Sequence, residues 1–98
     1  MIIISNVTYP PERAKEIAKR FLTAPALPGF LEKRGPYIST NRTDGVHSMT
    51  LYEVDNSRLS EGLQAVGESL AVYIGVPGYS YDILTYYETE EGLRMIGM

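Results

Sequence analysis

The chain has 98 residues, 44% hydrophobic and 21% charged, which suits one domain spanning residues 1–98 with a single core. Nine basic against twelve acidic residues give a net charge of −3, a poor balance for gripping nucleic acid or an anionic membrane, so neither is expected as a partner. No cysteine and one histidine exclude disulfides and thiolate sites and leave no basis for a metal centre, so no metal and no cofactor is expected, and a cytoplasmic location fits.

Met1 to Tyr9 is β-branched at Ile2, Ile3, Ile4, Val7 and Thr8 and reads as a strand. Its opening Met1–Ile4 is too short for a signal peptide and carries no basic n-region, and no apolar run approaches the roughly 20 residues that cross a bilayer. Pro10-Pro11 ends the strand and suits a helix start, with Thr8 the better capping residue. From Pro11 to Ala24, the residues Ala14, Ile17, Ala18, Phe21 and Leu22 fall on one helical face. Thr23 to Pro36, broken by proline and glycine, reads as a long connection whose Leu27, Phe30 and Leu31 provide the apolar cover a lid needs.

Tyr37 to Arg42 and Val46 to Val54 are both strand-like, and Asp44-Gly45 between them is a two-residue hairpin signal. That turn predicts the pairs Tyr37–Tyr52, Ser39–Thr50 and Asn41–Ser48 on one face. Ile38–Leu51, Thr40–Met49 and Arg42–His47 fall on the other. Asp55, Asn56 and Ser57 offer caps for a second helix to about Tyr73, with an apolar stripe at Leu59, Leu63, Val66 and Leu70. Gly62 and Gly67 each weaken that helix by about 1 kcal/mol relative to alanine, unless they permit close approach to a sheet. Tyr79 to Tyr87 is a fourth strand, and Thr89 opens a short last helix.

The order strand, helix, strand, strand, helix, strand, followed by a short helix, predicts an α+β fold of the ferredoxin-like βαββαβ plan. Strands 1 and 3 are central in a four-stranded antiparallel sheet, and both helices cover one face. The predicted strands carry few charges (Arg42, Glu53, Asp82 and, at an end, Glu88), so the face without helices is expected to pack against a second copy. In element order, size and trailing segment, with Pro77-Gly78-Tyr79 leading into the last strand, the chain resembles the dimeric α+β barrel superfamily, particularly its small bacterial members. That resemblance implies a homodimer with a cavity beside the sheet. It does not imply one reaction, because the superfamily spans cofactor-free monooxygenases, haem-degrading enzymes, isomerases and ligand-binding domains.

His47 is the one imidazole, a candidate general base or, as the resemblance to haem-binding relatives implies, a haem ligand, against the simpler reading of a partly exposed hairpin residue. Asp82 is the one carboxylate inside a predicted strand; it should face away from the helices with Ser80, Leu84 and Tyr86, either as an acid–base group or as a solvated edge residue. Tyr37, Asn41, Ser48 and Tyr52 are the expected ligand-binding set, because the predicted register gathers them on one polar face. The basic pairs Lys19-Arg20 and Lys33-Arg34 read as a helix end and a solvated loop. The expectation is a homodimeric domain binding a small aromatic or amphipathic molecule, with cofactor-independent catalysis as an extension. The alternative is a non-catalytic dimerisation or interaction module.

Overall fold

In the computed structural model, which describes residues 1–98, the β-branched opening forms strand β1 (Ile2–Tyr9). A single 3-10 turn over Pro11–Arg13 leads into helix α1 (Ala14–Phe21), and the N-cap is Pro10, with no side-chain cap from Thr8. Strands β2 (Glu32–Asn41) and β3 (Gly45–Glu53) form a hairpin. Asp55 caps the next turn by accepting the Ser57 N–H at 3.0 Å, and helix α2 (Leu59–Ala71) follows. Strand β4 (Ser80–Tyr86) and helix α3 (Thr89–Met95) close the chain. The result is a small α+β domain with three helices and a four-stranded antiparallel sheet, ordered β2-β3-β1-β4.

The hairpin corrects the predicted register. Asn41 lies opposite Gly45, Ser39 opposite His47 and Tyr37 opposite Met49, so neither Asn41–Ser48 nor Tyr37–Tyr52 forms. The cause is local. The Asn41 side-chain oxygen accepts the backbone N–H groups of Thr43 and Asp44 at 2.9 and 2.6 Å, which pulls the turn back so that Gly45 already pairs with Asn41. Within this turn only Gly45 has positive φ, at 76°, so the loop is Arg42 to Asp44 followed by a left-handed glycine, not a two-residue type I′ turn. The shift is odd in residue number and therefore exchanges the faces of one strand relative to the other.

β2 also begins earlier than the sequence suggests. Glu32, Lys33 and Arg34 pair with Glu53, Tyr52 and Leu51, so Lys33-Arg34 belongs to a strand and not to a loop. Gly35 and Pro36 then stand together opposite Thr50, a bulge that Gly35 accommodates with φ of 101°. This extension adds charge to the sheet, including an Arg34–Glu53 ion pair at 3.0 Å.

The core lies between α2 and the central strands. Ile3, Val7, Leu31, Tyr52, Val54, Val66 and Leu70 are buried together, with Leu59 and Leu63 packed against them. Gly62 is part of this contact: a Cβ there would stand 3.2 Å from Leu31 and 3.3 Å from Ile3 and Val54. Gly67 faces open space. α1 contributes no buried residue, and its Phe21 remains 54% exposed. The half of the helix layer under α1 is therefore unfilled.

Candidate functional site

The unfilled space is a cavity of about 320 Å³ between α1, the end of α2 and the inner face of β1, β2 and β3. Ile17, Phe21, Ile38 and Tyr73 line its apolar walls, while Ser5, Ser48, Thr50 and Tyr52 supply hydroxyls. Strand alternation explains this set. Ser5 pairs with Thr50 and Ile3 with Tyr52, so their side chains share the helix-facing side of the central strands. Ser5 and Thr50 are buried, and Tyr52 is only 3% exposed. Burial holds the Tyr52 phenol above its ordinary pKa, and the neighbouring Ser5 and Thr50 hydroxyls oppose that shift without cancelling it. Tyr52 is thus a neutral hydrogen-bonding group at neutral pH.

Two further tyrosines fix the end of the helix layer. The Tyr79 hydroxyl donates to the Leu70 carbonyl at 3.0 Å, and its ring packs against Tyr73 and Tyr81 at centroid distances of 5.5 and 5.6 Å. Burial also raises the pKa of both Tyr73 and Tyr79. Arg20 joins α1 to the segment after α2 by donating to the Val72 and Ile74 carbonyls at 3.1 and 2.8 Å.

The four residues expected to share a binding face are separated. Tyr52 and Ser48 line the cavity, Tyr37 stands on the opposite face at 57% exposure, and Asn41 organises the hairpin turn. The expected lid also lies elsewhere. Leu31 is in the core, and Phe30 sits under the Arg58 guanidinium, 3.7 Å from its ring centroid. Of the Thr23–Pro36 segment, only Lys33 and Pro36 reach the cavity. Lys33, Phe21 and Ser5 were missed as site residues. Continuous alternation through Glu32, Lys33 and Arg34 was the available signal for Lys33, and Gly35-Pro36 obscured it.

The open face brings the two titratable candidates together. Asp82 faces away from the helices, as expected, opposite Asn6. The Asn6 amide donates to the Asp82 carboxylate at 3.1 Å, and its oxygen lies 3.0 Å from His47 Nε2. With the amide nitrogen committed to the carboxylate, the Asn6 oxygen is the acceptor and His47 Nε2–H the donor. Neither residue lines the cavity. Around this polar line Tyr37, Met49, Leu84 and Tyr86 are exposed, and the Arg34–Glu53 ion pair adds charge at one end of the face.

A wider depression near α3 carries Glu32, Glu53, Asp55, Glu88, Glu90 and Glu91. Several are already engaged: Glu53 with Arg34, Asp55 with Ser57, and Glu91 with Asn56 and the Met1 amino group. No cluster of three His, Asp or Glu side chains is arranged to hold a metal ion, and no helix is long and apolar enough to cross a membrane.

No protein-family model and no curated protein matches the chain. Among solved structures it is similar to the de novo designed protein Foldit4, with 13% identity and a TM-score of 0.43 over 88% of this chain and 96% of that one.

Proposed function

We propose that the chain is a ferredoxin-like domain that binds a small aromatic or amphipathic molecule in the cavity under α1 and pairs with a second copy through its open sheet face. The strand order β2-β3-β1-β4, with α1 and α2 as crossovers, supports the ferredoxin-like reading. The observation that carries the ligand reading is a cavity with apolar walls and a few convergent hydroxyls, of a size within the usual range of about 300–1,000 Å³. An empty space lined this way loses dispersion contacts, so a bound molecule recovers them. Tyr52 supplies a neutral hydroxyl to such a molecule, and it is the group best placed to support cofactor-independent chemistry.

The test is a thermal-shift screen of small aromatic compounds against the wild type and Ala18→Phe. Ala18 lines the cavity but is otherwise exposed, so the larger ring fills the space without entering the core. Compounds that stabilise the wild type should lose their effect in Ala18→Phe. Stabilisation that persists in the filled variant contradicts the reading.

A second reading is a non-catalytic interaction module, favoured by the exposed apolar residues of the open face. It predicts pairing and no cavity-dependent ligand.

A further inference from the structure

We infer that the cavity selects an amphipathic monoanion, an aromatic carboxylate whose ring lies under α1 and whose charged end meets the Lys33 ammonium. The inference deepens the ligand-site reading above and rests on it.

It begins with alternation along the early part of β2. Glu32 and Arg34 lie on the open side, where Arg34 binds Glu53 at 3.0 Å. Lys33, opposite Tyr52, therefore stands on the inner side, at the edge of the cavity. It is the one charged residue among those that line the space, and no carboxylate is among them. Every acidic group nearby in sequence belongs to the other face or to another ion pair. Lys33 itself makes no ion pair: all the salt bridges of the chain use other cations. Its Nζ stands 6.0 Å from the centroid of the Phe21 ring, so cation and aromatic wall face each other across the same rim.

The charge pattern discriminates among ligands. A cation meets repulsion at the rim and finds no counter-charge inside. A neutral ring gains the apolar walls and the hydroxyls of Ser5, Thr50 and Tyr52 but leaves the ammonium unused. A carboxylate gains the same contacts and a charge-assisted hydrogen bond from Lys33, the stronger kind. A single cation matches a single negative charge.

The test is calorimetric titration with three probes that share one ring system: naphthoate, naphthamide and naphthylmethylamine. Naphthoate should bind the wild type about tenfold more tightly than naphthamide, as a charge-assisted contact implies, and the amine should bind most weakly. Lys33→Gln should erase the preference for naphthoate over naphthamide, whereas Lys33→Arg should keep it. Lys33 is exposed, so these variants retain the fold. Equal affinity for acid and amide in the wild type overturns the inference alone, as does a preference that survives Lys33→Gln. Failure of all three probes to bind overturns the inference together with the ligand-site reading beneath it.

Discussion

At the scale of single residues, Tyr52 joins stability to the site. It is 3% exposed and belongs to the core cluster, yet its hydroxyl lies beside those of Ser5 and Thr50 on the cavity wall. Tyr52→Phe keeps the ring and its packing but removes one member of a buried hydroxyl group. The expected cost is about 1 kcal/mol, the usual net worth of a neutral hydrogen bond, read from urea denaturation. No loss of stability would place the hydroxyl outside the network. His47 and Asp82 show a different logic. Asn6 bridges the two on the open face, donating to Asp82 and accepting from His47, so both ends of its amide are committed.

At the scale of elements, α2 packs closely and α1 stands off the sheet. The two glycines of α2 separate propensity from packing. Gly67 has open space around its Cβ position, so Gly67→Ala should stabilise the protein by about 1 kcal/mol through helix propensity alone. Gly62→Ala gains the same propensity but presses on Leu31, Ile3 and Val54 at once, so it should not stabilise and should fall below Gly67→Ala in denaturation midpoint. Equal gains from both would contradict the close approach.

Much of this element layout was legible in the sequence. β1 announced itself through β-branching and α2 through its apolar stripe, and the Gly62 approach was one of two readings already open. The hairpin was legible in existence but not in register, because Asp44-Gly45 is a strong local signal and the Asn41 side chain that outcompetes it looks like any strand residue. That single competition moved Tyr37 away from Tyr52 and dissolved the predicted binding face. The beginning of β2 was hidden for a related reason. Gly35-Pro36 reads as a break, whereas a bulge absorbs both residues and lets the strand continue. The cavity was not legible at all. The apolar face of α1 is as clear as that of α2, and nothing in its spacing says that it lies over unfilled space.

At the scale of the whole molecule, the two sides of the sheet present different chemistry. The inner side holds an incompletely filled layer with hydroxyls and one free cation; the outer side holds Tyr37, Met49, Leu84 and Tyr86 around a short polar line. Pairing through the outer side predicts a mass near twice the 10.9 kDa chain by light scattering at micromolar concentration. Leu84→Lys should return it to the single-chain mass with the fold intact, because Leu84 is exposed and a buried unpaired charge opposes association. A wild type already at the single-chain mass would contradict pairing, while leaving the inner cavity as it stands. An amide-resolved NMR titration with naphthoate reports on both sides of the sheet at once. Binding under α1 should concentrate the shifts at Phe21, Lys33, Ser48 and Tyr52 and leave Asp82 and Leu84 unmoved; shifts centred on Asp82 and Leu84, or none at the cavity residues, would contradict a ligand site there.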